Sequence, residues 1–303
     1  MKFRVGTFNA ENLFLRYKFK ESVRPGEYIK DNWQILDTKS AIAFDSITDL
    51  QRKNTAQVIL ANDPDVICLQ EIENITVLKE FNTHYLKNKY RYAMLIDGND
   101  WTRQIDIGIL SKYEIAHVRT HMFDKDKKGV IFSRDCLEAT VLDKKGAPLL
   151  TLFVNHFKSK VGKPEDTAAK RLRQATRVAE IIAERYGSSA GDAGFVIVGD
   201  FNDTPDSECL EPLIDQPWNE NIVARLPTGE RWTYSMSKNK KEQIDYLLLS
   251  KSLAESNPDA RPVIERRGLR DKVTAYTGPR FPGVGPDGTD ASDHCALFVE
   301  LDI

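Results

Sequence analysis

Six short polar clusters interrupt an otherwise apolar set of segments, and their side chains share one chemistry. Asn9 closes the run 3–8, Gln70 and Glu71 close 66–69, Asn155 and His156 close 149–154, and Gly199-Asp200-Phe201-Asn202 closes 195–198. Two later segments invert the order: Gln243-Ile244-Asp245 opens the run 244–249, and Ser292-Asp293-His294 opens 295–301. If the later strands run antiparallel to the earlier ones, all six clusters fall along one edge of the sheet system. Carboxylates crowded there repel by on the order of several kcal/mol unless a cation or shared protons intervene. Glu71, Asp293 and the amide oxygen of Asn9 are hard oxygen donors with no thiolate among them, a set suited to Mg²⁺ or Mn²⁺ rather than zinc. Asp200-x-Asn202 places two polar side chains on one side of a strand end. One can take a proton from water while the other hydrogen-bonds a phosphate oxygen. Asp245 paired with His294 would fix the imidazole tautomer and raise its pKa, favouring a cation beside an anionic substrate.

Each cluster alone has a bland explanation. Asn9 reads as a cap, Glu71 as a solvated strand end, Gly-Asp-Phe-Asn as an Asx-type turn, and Asp293-His294 as a surface pair. Six such coincidences, each at the end of a buried strand, argue instead for a site.

The elements that must position these groups follow from the pattern of apolar residues. The runs are four to seven residues long and rich in Val, Ile, Leu and Phe, and residues 105–110 form another. They read as strands covered on both faces. Helices are expected at 51–61, 76–87 and 165–186, the last with a stripe of Ala168, Leu172, Ala175, Val178, Ala179 and Ile182. Strands and helices mixed in this order give an α/β or α+β layered domain. No internal repeat or low-complexity linker divides the 303 residues, so one domain is expected over 1–303, with an insertion near 15–49 and a flexible loop near 277–292.

Composition sets outer bounds. With 43 Lys or Arg against 45 Asp or Glu the net charge is -2, which argues against coating nucleic acid over the whole surface but allows a local basic rim. Lys158, Lys160, Lys163, Lys170, Arg171 and Arg173 follow His156 and are the candidates for such a rim, with a solvated helix start as the alternative. No apolar run approaches the roughly 20 residues that span a bilayer, so no membrane anchor is expected. The start lacks a signal peptide's apolar segment, which points to the cytoplasm, or to secretion if the sequence is a form already trimmed of its leader. No feature calls for an obligate protein partner. Cys68, Cys136, Cys209 and Cys295 lack metal-ligand spacing and read as reduced thiols. A GxGxxG at 283–288 contains Pro286 and follows no strand, and a GxSxG at 187–191 sits after a helix rather than before one, so both are rejected.

Read as a set, Thr7-Phe8-Asn9-Ala10-Glu11-Asn12, Leu69-Gln70-Glu71, Asn155-His156-Phe157-Lys158, Gly199-Asp200-Phe201-Asn202-Asp203, Gln243-Ile244-Asp245-Tyr246 and Ser292-Asp293-His294 resemble the endonuclease/exonuclease/phosphatase superfamily, in family order from residue 7 to residue 294. The resemblance implies a four-layer α/β sandwich of two mixed β-sheets face to face with helices outside. It implies a divalent-metal-dependent phosphodiesterase with Mg²⁺ or Mn²⁺. Carried over position by position, Glu71 resembles the principal metal ligand, with Asn9 and Asp293 beside it. Asp200 resembles the residue that orients or deprotonates the attacking water, and Asn202 its phosphate-contacting neighbour. His156 and His294 resemble the two histidines on the scissile phosphate, with Asp245 supporting His294. Arg103 resembles a phosphate contact, a solvent-exposed salt bridge being the other reading. Asn155 and Lys158 complete the candidate substrate-binding set. Repair nucleases of the exonuclease III type carry tyrosine at the position of His156, which argues against abasic-site cleavage.

Three functions compete at this level. A nuclease acting on DNA or RNA comes first, with the lysine cluster favouring a polyanion. A phosphatase or phospholipase-like phosphodiesterase on a small or lipid substrate comes second, with no membrane-inserting apolar hairpin evident. A non-catalytic binding module that kept the fold comes third, weakened because every motif position is intact.

Overall fold

A computed structural model describes residues 1–13, 18–20, 34–37, 42–45, 49–100, 103–236 and 240–303. Its framework is two six-stranded sheets. The strands are β1 (Lys2–Leu13), β2 (Val66–Ile72), β3 (Tyr92–Leu95), β4 (Asp106–Ser111), β5 (Ile115–Arg119) and β6 (Cys136–Leu142). They continue as β7 (Pro148–His156), β8 (Phe195–Asp200), β9 (Asn219–Asn221), β10 (Asp245–Ser250), β11 (Val263–Glu265) and β12 (Ala296–Asp302). The first sheet is ordered β11-β12-β1-β2-β4-β3 and the second β9-β10-β8-β7-β6-β5. Each has one parallel pair at its centre, β1 with β2 and β7 with β8, flanked by antiparallel neighbours. The late strands β10 and β12 run antiparallel to β8 and β1.

Side-chain alternation along each strand sorts the residues into layers. Phe3, Val5, Val66, Cys68, Ile107, Leu297 and Val299 from the first sheet meet Leu137, Leu152, Val154, Val196, Val198 and Leu247 from the second in one buried core. The opposite parity faces helices. Phe8, Ile67, Leu69 and Phe298 pack with Val58 and Ile59 of α1 (Asp49–Asn62) and Leu78 and Phe81 of α2 (Ile75–His84). Phe153, Phe195, Ile197 and Leu248 pack with Val178, Ile181 and Ile182 of α3 (Pro164–Tyr186). Helix, sheet, sheet, helix make the four layers, and burial on both faces is why the strands read as continuous apolar runs.

Local chemistry sets the helix ends. Asn74 caps α2 by accepting a hydrogen bond from the Val77 amide at 3.0 Å. Pro164 opens α3, with Glu165 and Asp166 in its first turn. The α3 stripe differs from the sequence expectation at one position: Leu172 is 42% exposed, while Arg171 and Gln174 are buried. Both are hydrogen-bonded there, although Gln174 Nε2 is buried without a partner among the described residues. Arg171 Nε donates to Asp203 Oδ2 at 2.8 Å, and Gln174 Oε1 accepts from the Lys158 amide at 2.8 Å.

Most of the insertion expected near 15–49 lies outside the described residues; the part that is described, Lys18–Lys20, Gln34–Asp37 and Ile42–Asp45, forms a separate three-stranded antiparallel sheet. The segment 277–292 contains no helix or strand. It is fastened to α1: Asn54 donates to the Gly283 and Thr289 carbonyls, Gln57 to that of Pro282, and Thr55 to that of Ala291. Among the described residues, no helix is long and apolar enough to cross a membrane.

Candidate active site

The parity that fills the inter-sheet core also builds the cleft. On β1 the inward positions Phe3 and Val5 continue to Thr7 and Asn9. On β7 they run Leu150, Leu152, Val154 and then His156, and on β8 Val196, Val198 and then Asp200. On β10 they begin with Asp245 before Leu247 and Leu249. One end of the sandwich core is therefore polar.

Glu71 breaks this rule. Alternation after Ile67 and Leu69 would turn it toward the helices. Instead β2 bulges: Gln70 pairs with Ile107 and Ile72 with Asp106, leaving Glu71 unpaired in the ladder with a φ of 64°. Such a bulge re-aims one side chain, and here it brings Glu71 Oε1 to 4.0 Å from His156 Nε2 on the facing sheet.

The contacts form a connected set. Asp200 is 1% exposed. Its Oδ2 accepts from Asn9 Nδ2 at 3.0 Å and Asn202 Nδ2 at 2.9 Å, and its Oδ1 accepts from the Asn202 amide at 2.8 Å. His156 Nε2 lies 3.5 Å and His294 Nε2 3.9 Å from Asp200 Oδ2. His294 Nδ1 holds Asp245 at 3.0 and 3.2 Å, and its Nε2 is 3.9 Å from Asp293 Oδ1. Asn9 Oδ1 accepts from the Glu11 amide, and Glu71 Oε2 from the Asn12 amide. Arg103 Nη2 lies 3.1 Å from each Glu71 carboxylate oxygen and also reaches Asn12 Oδ1. Behind the Asp200–Asn202 turn, Phe201 is stacked between Phe157 at 4.7 Å and Tyr246 at 4.6 Å.

These surroundings move the proton affinities. Burial pushes the Asp200 carboxyl up to about 7, with His294 opposing and Asp245 adding to the rise. Burial alone would lower His294, but Asp245, Asp200 and Asp293 outweigh it and hold the imidazole well above its ordinary value. His156 is driven well below the ordinary range, first by burial and then by Arg134, His294 and Arg103, so it is neutral at pH 7.

The structure thus brings together Asn9, Glu71, His156, Asp200, Asn202, Asp245, Asp293 and His294, with Arg103 on the Glu71 side. Asn155 does not join them. It is fully buried on the opposite face of β7 from His156, and its Nδ2 donates to the Phe153 carbonyl at 3.0 Å. Lys158 sits at the rim, its Nζ donating to the Val161 carbonyl at 2.8 Å. Much of the basic rim is neutralised: Lys160 and Arg171 pair with Asp203, and Arg173 with Asp126.

Sequence reasoning missed four supporting residues. Thr233 Oγ1 accepts from the amides of Ile244 and Asp245, both at 3.1 Å, and so fixes the start of β10. Ser292 Oγ donates to the Asn9 carbonyl and accepts from the His294 amide, tying β1 to the last motif. Glu11 Oε2 accepts from the Asp293 amide at 2.8 Å. Arg134, 3% exposed, pairs with Asp100. Glu11 and Ser292 carried a signal, their places inside the first and last motifs; Thr233 and Arg134 lie outside any patterned run.

Four carboxylates linked through two imidazoles, with oxygen donors and no thiolate, fit a hard divalent cation. Asp200, Asp245 and His294 bring donor atoms within 4.8 Å of one another. The two short Asp245–His294 contacts already use that pair as an ion pair, so the remaining oxygen ligands lie toward Glu71, Asn9 and Asp293.

Two facing mixed sheets between helices, with an acid–imidazole cleft at one end of the shared core, define a DNase I-like phosphoesterase fold. The pattern of the endonuclease/exonuclease/phosphatase family matches residues 42–294, and the chain belongs to that family, whose enzymes are metal-dependent phosphoesterases. No curated protein sequence matches the chain significantly. Among solved structures, truncated TDP2 from Caenorhabditis elegans is 14% identical with a TM-score of 0.61, covering 100% of this chain and 98% of its own. The human Nocturnin catalytic domain is 14% identical with a TM-score of 0.62, covering 99% and 94%. The Bacteroides thetaiotaomicron mannosyl-6-phosphatase is 15% identical with a TM-score of 0.58, covering 99% and 100%. Identities this low establish the shared fold.

Proposed function

We propose that the protein is a nuclease that hydrolyses phosphodiester bonds of DNA or RNA by in-line attack of water, dependent on Mg²⁺ or Mn²⁺. The observation that carries this reading is the buried Asp200 carboxylate, fixed by Asn9 and Asn202 with the His156 and His294 imidazoles 3.5 and 3.9 Å away. A carboxylate with a proton affinity near neutral can take a proton from water at physiological pH. Asn202 Nδ2, which donates to Asp200 and to the Phe157 carbonyl, would exchange one of these for a phosphate oxygen. His294, held cationic by Asp245, offers an Nε2–H to the scissile phosphate, and neutral His156 offers a second donor from the facing strand. Glu71, Asn9 and Asp293 would hold the divalent ion, which supplies positive charge to the phosphate when bound. Arg103 and Lys158 flank this centre and favour a polyanionic substrate.

The deciding experiment is a substrate panel with Mg²⁺ or Mn²⁺: plasmid and single-stranded DNA, RNA, a sugar 6-phosphate, a phosphoinositide and sphingomyelin. Cleavage of a polynucleotide that EDTA abolishes is the expected result. Turnover restricted to monoesters or lipids would replace the nuclease reading with the phosphatase or phospholipase-like one.

A further inference from the structure

Beside the acid–imidazole cluster lies a cavity of about 720 Å³ whose lining includes Asp100, Arg103, Arg134, Lys158, Ser159 and Lys170. Four cations face one carboxylate there. Arg103 belongs to both places, since its Nη2 contacts Glu71 while the residue lines the cavity. The remaining cations are close enough that Arg134 and Lys158 both act on His156. The cavity therefore adjoins the acid–imidazole cluster on its Glu71 side, with Arg103 as the shared wall.

Its charges are unevenly satisfied, and that unevenness is informative. Just along the chain, Lys160, Arg171 and Arg173 are each paired with a carboxylate at 3.2, 2.8 and 2.5 Å. Lys158 and Lys170 have no carboxylate partner among the described residues. Lys158 Nζ donates to the Val161 carbonyl and Ser159 Oγ, and Lys170 Nζ to the Val130 carbonyl. Arg134 is 3% exposed; one end of its guanidinium pairs with Asp100 at 2.9 Å, while its Nε is buried with no partner among the described residues. Cations withdrawn from water without full pairing favour an incoming anion. The volume suits a nucleotide-sized group, and Phe132 and Val161 supply apolar wall beside the charges.

We propose that this cavity is a second phosphate subsite, which holds a phosphate group of the substrate other than the one being hydrolysed. The proposal rests on the phosphoesterase reading of the neighbouring cluster. A phosphate seated here anchors the substrate one group away from the reacting centre. The enzyme then discriminates in favour of molecules with two phosphates over those with one.

Two measurements test it on the full chain. In EDTA the carboxylates of the hydrolytic cluster repel anions, so inorganic pyrophosphate bound by the metal-free protein, followed by calorimetric titration, reports the cavity. Saturable binding is expected, weakened about tenfold or more in Lys158→Ala/Lys170→Ala, whose side chains are at the rim. No binding by the wild type, or equal affinity in the double variant, overturns the proposal. In the second measurement, with Mg²⁺, kcat/KM is compared for thymidylyl-thymidine, its 5′-phosphorylated form, its 3′-phosphorylated form and the trinucleotide. An added phosphate should raise kcat/KM about tenfold or more, and the double variant should shrink that advantage to about twofold. Advantage confined to a phosphorylated dinucleotide identifies a terminal monoester as the natural occupant, and advantage in the trinucleotide identifies the next diester of a strand. Equal rates for all four in the wild type, or an advantage undiminished in the double variant, overturn the subsite and leave hydrolysis standing. No hydrolysis of any of them, with pyrophosphate binding intact, overturns the nuclease reading and not the subsite.

Discussion

His294 hydrogen-bonds Asp245 through Nδ1 at 3.0 Å and turns its Nε2 toward Asp200, 3.9 Å away. Those two aspartates are register partners on β8 and β10. Like charges directly opposite on neighbouring strands destabilise a sheet, so one imidazole from a third segment answers both. The same contact that makes this corner of the sheet tolerable leaves His294 cationic and aimed into the cleft.

Severing that pair should therefore change charge as well as orientation. The protonated imidazole is favoured below its raised folded pKa and lost as pH rises through it. In Asp245→Asn the largest raising influence is gone and Asp200 and Asp293 remain, so the alkaline limb of the kcat/KM profile is expected to move to lower pH. At pH 8 activity should fall by about 10²-fold or more. An alkaline limb that stays in place would show that His294 does not act as a cation.

Asp200 gives a second pH dependence, readable without turnover. Its folded pKa of about 7 stands above the ordinary aspartate value, so the folded chain binds the extra proton. That contribution to stability is full below about 3.9 and declines as pH rises toward 7. Added Mg²⁺ or Mn²⁺ should offset the loss, raising Tm more at pH 8 than at pH 5. At a hundredfold excess over Kd the gain is about 2.7 kcal/mol, roughly 4 °C for a chain of this size. Melting curves with EDTA or metal at both pH values check this, and a Tm indifferent to metal would remove the ion from the site.

Much of this site was legible because it is the continuation of a pattern. His156, Asp200 and Asp245 occupy the inward parity of strands whose other inward residues are apolar, so each apolar run pointed at its own polar terminus. Asn155 misled for the same reason: it shares the cluster with His156 but has the opposite parity. Glu71 was found by its position next to a strand end, although only the bulge puts it in the cleft, and a backbone φ of 64° leaves no mark in the sequence. Strand β6 was missed because Glu138 and Thr140 interrupt its apolar residues. Glu138 is nonetheless 1% exposed, paired with Arg185 from α3 and with His121, partners that only the fold brings near. Arg134 escaped for a similar reason, since its carboxylate partner lies on a loop far away in sequence.

The glycine of Gly199-Asp200 is required by its neighbour strand. Its φ is 137°, and a Cβ there would sit 1.9 Å from the Asn155 carbonyl oxygen. Gly199→Ala should force β7 and β8 apart next to His156 and Asp200, costing about 3 kcal/mol or more in stability. Gly146, with φ of 85° and open space around it, is the control; alanine there should cost only about 1–2 kcal/mol. Urea unfolding of the two variants compares them, and equal losses would mean that the strand contact yields easily.

Arg171 connects the long helix to the turn that follows Asp200. It is 4% exposed, its Nε holds Asp203 Oδ2 at 2.8 Å, and the Asp203 carbonyl accepts the Tyr246 hydroxyl at 2.8 Å. Burial would raise the Asp203 pKa, but the Arg171 hydrogen bond and charge outweigh it and hold the carboxyl below its ordinary value. A depressed carboxylate adds stability above the unfolded pKa and loses it as pH falls through the folded one. Arg171→Met should thus destabilise the protein by about 3 kcal/mol at pH 7, because the buried carboxylate keeps only the more exposed Lys160 as an ion-pair partner. The deficit should narrow below about pH 3.9, where Asp203 takes up a proton in the unfolded chain and then in the folded one. Removing the acid as well, in Arg171→Met/Asp203→Asn, should recover part of the loss at pH 7 but not restore turnover, since the turn carrying Asp200 and Asn202 would no longer be fastened to α3. Full activity in that double variant would mean that the Phe157–Phe201–Tyr246 stack alone fixes the turn.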